Sequence, residues 1–260
     1  MLTADRSSLR GPVPLRAVGA SVVAAAFLML AGCGGGSGDD GGGGRRTSTP
    51  AAAEVDDFGC LSPEQAKSGY VTFPSSENQD VEAFQAGQGS TALVLAHQAD
   101  GDVCQWVPDA VDLSHDGYRV IAVQSAGSEV AELTAAVTYA RSKGAHKVLL
   151  VGASKGGTAV LTSAGTVTPP VDAVVSLSAP ADYNGMDAAG TVPGLTMPVF
   201  YMAAEGDTDF ATSTRALSEA TKKAAENDLA IVGGASHGVS MLDDPADFAK
   251  VKAFLKKYGG

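Results

Sequence analysis

The sequence predicts an α/β fold in which a mainly parallel, doubly wound sheet is covered by helices on both faces. From residue 90 onwards, short apolar segments alternate with segments of helical periodicity. The apolar segments are almost continuously hydrophobic, which is typical of strands that are buried on both faces. The connections at 163–170 and 181–196 are too short to hold a separate cap domain. We therefore expect one α/β domain over residues 58–260, without a large cap.

Six apolar segments supply the predicted core strands, and four segments between or after them supply helices. The strands are expected at 91–97, 118–123, 146–152, 171–178, 197–204 and 229–234. The helices are expected at 128–143, 155–165, 213–227 and 244–259, the last of which begins with Asp-Pro, a common helix start. Residues 69–87 precede this series, and we expect them to form an antiparallel hairpin at one edge of the sheet.

Residues 1–32 are predicted to be a secretory signal peptide. Three arginines precede an uncharged apolar run, and small residues follow it. The uncharged run, residues 17–32, is shorter than the roughly 20 residues that a membrane-spanning helix needs. The segment Leu30-Ala31-Gly32-Cys33 resembles the bacterial lipobox, which implies that Cys33 is lipidated and becomes the new N-terminus. The alternative is an ordinary signal cleavage near Gly32 that leaves Cys33 free.

Residues 33–57 are predicted to be a flexible tether. They are rich in glycine and serine, and such chain cannot bury a core. A tether would let a folded domain stand clear of a membrane surface. We therefore expect an exported protein that is lipid-anchored at the extracytoplasmic face of the cell membrane.

The charge of the chain excludes several classes of partner. The full sequence carries a net charge of -11, and without residues 1–32 it has 15 basic and 28 acidic residues, a net charge of -13. Such acidity argues against nucleic-acid binding and against adhesion to anionic lipid. We expect a monomer whose membrane contact is confined to the N-terminal lipid anchor.

The two cysteines that follow the lipobox are expected to pair. Cys60 and Cys104 would lie in an oxidising compartment, where thiols commonly form disulfides. The alternative is two separate buried thiols. A metal site built on His97 and its neighbours Asp100, Asp102 and Cys104 is disfavoured because no second ligand cluster follows. We therefore expect neither a metal nor a cofactor.

Ser154 is the candidate nucleophile. It lies in the pattern G-x-S-x-G, between a predicted strand that ends near Gly152 and a predicted helix that begins near Lys155. A sharp turn between strand and helix lifts a serine hydroxyl above the sheet, and its small neighbours permit that turn. The phosphate-loop pattern does not fit because Lys155 precedes Gly156. A structural turn with a bystander serine remains the alternative at this point.

His237 is the candidate base. The same G-x-S-x-G pattern recurs around Ser236, but no histidine follows that serine in the chain. His237 follows the last predicted strand, at the end of the sheet where functional residues of such folds lie. His115 and His146 precede strands and therefore lie at the opposite end. A serine needs a neighbouring imidazole to accept its proton, and His237 can supply one to Ser154.

Three carboxylates follow the penultimate strand and could orient the imidazole of His237. They are Asp207, Asp209 and Glu205, in our order of preference. The acid of a catalytic triad holds the tautomer of the histidine and stabilises its charged form. Asp207 is therefore the predicted third member, with Asp209 as the alternative.

The order Ser154, Asp207, His237 and the motifs around these residues resemble the α/β-hydrolase superfamily, in particular its small lidless esterases and dienelactone-hydrolase-like members. The resemblance covers roughly residues 88–259. It implies that the protein cleaves a small carboxylic ester through an acyl-enzyme. The alternatives are a thioesterase or peptidase that uses the same triad, or a lipoprotein that binds a ligand on this fold without catalysis.

The segment 94–106 resembles the first oxyanion loop of that superfamily, which usually reads His-Gly and ends in Trp. Here Gln98 replaces the glycine. The resemblance implies that the backbone N–H groups of Gln98 and Lys155 hold the oxyanion. The glutamine leaves the position of the first donor open.

Overall fold

The computed structural model describes residues 55–260. The predicted signal peptide at 1–32, the lipidation site Cys33 and the tether as far as residue 54 lie outside the described residues. No helix within 55–260 is both long enough and apolar enough to cross a lipid bilayer.

Eight strands form the main sheet, in the order β1-β2-β4-β3-β5-β6-β9-β10. The strands are β1 Tyr70–Pro74, β2 Asp80–Ala86, β3 Thr91–Ala96, β4 Arg119–Gln124, β5 Lys147–Ala153, β6 Ala173–Leu177, β9 Val199–Ala204 and β10 Asn227–Val232. Strand β2 runs antiparallel to both of its neighbours, and the strands from β4 to β10 are mutually parallel. The predicted parallel sheet and its antiparallel edge hairpin are therefore confirmed.

The helices pack on both faces of this sheet. They are α1 Pro63–Gly69, α2 Val107–His115, α3 Glu129–Ser142, α4 Lys155–Ala164, α5 Ala188–Thr191, α6 Thr208–Ala220 and α7 Pro245–Gly259. Side chains alternate along the strands, so Val94 packs into the core on the α3 and α4 face, whereas Leu93 and Leu95 pack with Trp106 on the other face. The predicted doubly wound architecture is confirmed by this two-sided core.

The predicted helix at 213–227 is placed wrongly, because α6 begins five residues earlier and ends seven residues earlier. A side-chain contact from β10 lies at its end. The Asn227 side chain donates to the carbonyl of Ser218 at 2.7 Å and thereby satisfies a terminal helix carbonyl. A pattern of apolar residues does not contain that contact. The six core strands, by contrast, begin and end within two residues of the predicted bounds.

The connection between β6 and β9 is short and lies close to the domain. It holds the two-residue strands β7 Asp182–Tyr183 and β8 Met186–Asp187, the four-residue helix α5 and a 3-10 turn at Val192–Gly194. No cap domain is inserted within the described residues. Within residues 55–260, therefore, no inserted domain covers the end of the sheet that carries the carboxyl ends of β5, β9 and β10.

Candidate active site

Ser154 is the single residue between β5 and α4, and its backbone has φ 53° and ψ −120°. A non-glycine residue with positive φ is uncommon, and such conformations concentrate at functional sites. A side chain on Gly152 would collide with the carbonyl of Gly156, and a side chain on Gly156 would collide with the carbonyl of Ala96 on β3. The two glycines of the motif are therefore required by close backbone contacts on both sides of the serine.

Asp207 and His237 are in direct contact. His237 Nδ1 lies 2.7 Å from Asp207 Oδ2, a hydrogen bond between residues at the carboxyl ends of β9 and β10. The alternatives Asp209 and Glu205 are exposed, and neither hydrogen-bonds His237. Of the three predicted carboxylates, the structure brings Asp207 to the imidazole.

Phe210 also contacts the imidazole of His237. The two ring centroids are 4.2 Å apart, with the ring planes tilted by 57°. Phe210 lies in the first turn of α6, just after Asp207, so one chain segment supplies both the carboxylate and the aromatic neighbour. Sequence reasoning missed Phe210, because a phenylalanine at the start of a helix is more often a core residue.

The loop that carries His237 is held against the turn that carries Ser154. The Gly238 N–H donates to Ser178 Oγ at 3.2 Å, and a side chain on Gly238, where φ is 57°, would come within 3.3 Å of the Ala153 Cβ. His237 and Ser154 therefore lie on neighbouring segments of backbone. Within the described residues no hydrogen bond joins the Ser154 hydroxyl to His237, and such bonds commonly tighten only when substrate binds.

Ser178 is a second residue that sequence reasoning missed. It follows β6 directly, is fully buried, and has a positive φ of 48°. Its hydroxyl accepts the Gly238 N–H and so links the end of β6 to the histidine loop. Its place after an apolar strand was a signal of the same kind that pointed to Ser154 and Asp207.

The first predicted oxyanion donor requires a correction. The Gln98 N–H donates to Gln105 Oε1 at 3.0 Å, so an interaction inside the loop already uses this group. Its role as a donor to substrate rested on the resemblance, and this bond argues against it. Within the described residues the next amide, Ala99 N–H, has no protein acceptor, and Ala99 is exposed at the same loop.

Lys155 supplies the second predicted donor from the start of α4. The first amides of a helix have no partner inside the helix, and the Lys155 N–H donates to no other group of residues 55–260. The side chain of Lys155 is buried and forms an ion pair with Glu129 at 2.8 Å. Burial by itself would raise the pKa of Glu129, but the hydrogen bond and the charge of Lys155, together with hydrogen bonds from its own backbone and from Ser125, lower that pKa.

His97 stabilises the loop that contains Ala99 through two hydrogen bonds of its imidazole. Its Nδ1 lies 2.7 Å from the carbonyl of Gln98, and its Nε2 accepts the Ser125 N–H at 3.1 Å. This arrangement requires the neutral tautomer with the proton on Nδ1. Burial lowers the pKa of His97, which favours the same neutral form. His97 is therefore a structural histidine of the loop, not a ligand or a base.

Cys60 and Cys104 form a disulfide with a Cα–Cα distance of 6.0 Å, which confirms the predicted pairing. It joins the start of the described chain to the turn before α2. Cys104 is therefore not available as a metal ligand. Within 55–260, moreover, no group of three or more His, Cys, Asp and Glu side chains is arranged to hold a metal ion.

Comparison with solved structures identifies the fold. An esterase from Pyrococcus furiosus, Pf2001, matches with a TM-score of 0.62 and 13% identity over 74% of this chain and 91% of its own. The esterase domain of a Rhodothermus marinus protein matches with a TM-score of 0.62 and 18% identity, over 74% of this chain and 98% of its own. Dienelactone hydrolase from Anabaena variabilis matches with a TM-score of 0.58 and 18% identity, over 73% and 94%.

No protein-family model and no curated protein sequence matches this chain. At identities this low, the structural likeness establishes architecture and not activity. The chain has the α/β-hydrolase fold, as the sequence motifs predict, and the part that the structure describes includes no large cap.

Proposed function

We propose that this protein is a serine hydrolase that cleaves carboxylic esters through an acyl-enzyme, with Ser154 as nucleophile, His237 as base and Asp207 as the acid. The observation that carries the proposal is the hydrogen bond between His237 and Asp207, beside a serine that is held at positive φ. The esterases and the dienelactone hydrolase that share the fold support the same reaction class.

The first half of the reaction transfers the acyl group to the enzyme. His237 Nε2 accepts the Ser154 proton while Ser154 Oγ forms a bond to the ester carbonyl carbon. Asp207 accepts a hydrogen bond from the Nδ1–H of His237 and thereby stabilises the imidazolium that results. His237 then gives the proton to the leaving alcohol as its C–O bond breaks. In the second half, water attacks the acyl-enzyme while His237 accepts its proton. His237 then returns the proton to Ser154 Oγ as the carboxylic acid is released.

The oxyanion of the tetrahedral intermediate needs two donors. Lys155 N–H at the start of α4 is one, and its helix adds a favourable dipole. We assign the other to Ala99 N–H rather than Gln98 N–H, because Gln105 already accepts the latter. A backbone donor of this kind typically contributes about 10²–10³ in turnover.

We also propose a cellular location for this activity, on the basis of the sequence. Lipidation of Cys33 would place the domain on the extracytoplasmic face of the cell membrane, as a monomer at the end of its tether. The disulfide between Cys60 and Cys104 supports an oxidising compartment. The absence of a cap from the described chain favours small or exposed esters over long acyl chains.

The proposal is tested with p-nitrophenyl esters of increasing acyl length, and with the matching thioester and anilide. We expect wild type to hydrolyse the short oxyesters most rapidly. The variant Ser154→Ala should lose this activity, whereas Ser236→Ala, which alters the exposed serine of the second G-x-S-x-G copy, should keep it. A preference for the thioester or the anilide would reassign the substrate. Turnover of none of them, together with ligand binding that Ser154→Ala leaves intact, would instead indicate a ligand-binding member of the fold.

A further inference from the structure

The side chain of Gln98 connects two loops of the candidate active site. It is 8% exposed. Its Oε1 accepts the Val239 N–H at 2.7 Å, and its Nε2 donates to Asp100 Oδ1 at 3.2 Å. Val239 lies two residues after His237, and Asp100 lies just after Ala99, the proposed oxyanion donor. The carboxamide therefore spans from the histidine loop to the oxyanion loop.

The histidine loop is shaped to receive this carboxamide. Gly238 has φ 57°, and any side chain there would collide with Gln98 Oε1. The adjacent Val239 N–H has Gln98 as its acceptor in the described structure. A shorter side chain at 98, such as the glycine that the resemblance leads one to expect, would leave this amide without a partner and a gap beside Gly238.

We infer that Gln98 is a positioning residue, whose carboxamide fixes the loop of His237 relative to the oxyanion loop. The inference rests on the proposed function, since it assigns to Gln98 the alignment of the proposed base and donor. His237 is otherwise held through its Nδ1 by Asp207 and through Gly238 by Ser178. The bond from Val239 to Gln98 connects this loop directly to the donor side of the site.

Replacing Gln98 by Met tests the inference, because methionine keeps the length of the side chain but removes both hydrogen bonds. We expect kcat for a short p-nitrophenyl ester to fall by about 10- to 100-fold, since small misplacements of catalytic groups have effects of this size. The KM should stay within about twofold, because the buried carboxamide of Gln98 bonds to protein groups, Val239 and Asp100. The matched control is Gln88→Met, an exposed glutamine that should leave both constants unchanged.

Rescue distinguishes positioning from packing. In the double variant Gln98→Glu/Asp100→Asn, the new carboxylate still accepts from the Val239 N–H, and it accepts from the new amide at 100, so the bond between positions 98 and 100 is restored with its polarity exchanged. We expect it to recover most of the kcat that Gln98→Glu alone loses, because the single variant opposes two carboxylates. If Gln98→Met fails to fold, Gln98→Asn, which is one methylene shorter, replaces it in the comparison.

A spectroscopic readout needs no substrate. The proton on His237 Nδ1 forms a hydrogen bond to Asp207 and should give a low-field proton resonance in the free wild-type protein. We expect it to shift or broaden in Gln98→Met and to return in the double variant. Unchanged kcat and an unchanged resonance in Gln98→Met would overturn the inference, as would a double variant no better than Gln98→Glu. If wild type hydrolyses no ester, the proposed function fails, and the resonance still tests the positioning.

Discussion

Asp207 Oδ2 accepts a hydrogen bond from His237 Nδ1 at 2.7 Å, although 30 residues separate the two in the chain. The contact distinguishes Asp207 from Asp209, which lies two residues further on and is exposed. Asp207→Asn should lower kcat by about 10³–10⁴, because an amide favours the wrong imidazole tautomer. Asp209→Asn should stay within a few-fold of wild type. Ester hydrolysis by the two purified variants makes the comparison, and a reversed order would move the acid to Asp209.

The positive φ of Ser154 predicts a gain in the free energy of unfolding when its side chain is removed. Glycine adopts positive φ without steric cost, so Ser154→Gly should raise the free energy of unfolding by about 1 kcal/mol while abolishing turnover. Ser154→Ala should also abolish turnover but should not gain this stability, because alanine keeps the Cβ. Urea unfolding of the three proteins measures the difference. Equal stabilities for the Gly and Ala variants would show that the turn stores no strain.

The disulfide should account for a substantial part of the stability of the domain. Its cysteines are 44 residues apart, and closing a loop of that length stabilises by about 4 kcal/mol in the chain-entropy model. Cys60→Ser/Cys104→Ser should lower the free energy of unfolding by about that amount, and wild type in reductant should match it. A loss below about 1 kcal/mol would indicate that the unfolded chain is not restrained by this bond.

Asp109, in the first turn of α2, gives a pH dependence with a defined sign. Burial, with Asp243 and Asp112 nearby, raises its pKa to about 7 in the folded protein. Ionising this carboxyl therefore destabilises the fold fully above pH 7, and the penalty disappears as the pH falls towards the unfolded pKa near 4.

Asp109→Asn should accordingly be more stable than wild type at pH 8. We expect a difference of about 1–2 kcal/mol, reduced for partial solvent screening, that vanishes below about pH 4. Unfolding curves of both proteins at several pH values measure it. A difference that is constant with pH would mean that Asp109 keeps an ordinary pKa in the fold.

The strands were predictable from sequence because buried parallel strands are continuous apolar runs, and the positions of Ser154 and Asp207 follow directly from where those runs end. The pattern does not predict which carboxylate hydrogen-bonds to His237. Asp207 and Asp209 both follow β9, and they differ in how the start of α6 orients them. At the end of α6 the side chain of Asn227 donates to the carbonyl of Ser218, and apolar periodicity does not predict that contact.

The oxyanion loop shows the limit of reasoning by resemblance. The substitution of glycine by Gln98 was visible in the sequence, but its consequence was not. The backbone N–H of Gln98 donates to the side chain of Gln105. Its side chain accepts from the Val239 N–H and donates to Asp100. These partners lie up to 141 residues away in the chain, so only the folded structure brings them together.

The most direct test of the account is covalent labelling of the folded protein with a fluorophosphonate probe, followed by mass spectrometry of its peptides. Such probes react with a serine whose hydroxyl is activated by a neighbouring base. We predict a single adduct on Ser154, absent from Ser154→Ala and strongly reduced in His237→Ala, with Ser236 unlabelled in every sample. Folded protein in which Ser154 stays unlabelled would contradict the assignment of Ser154 as a nucleophile.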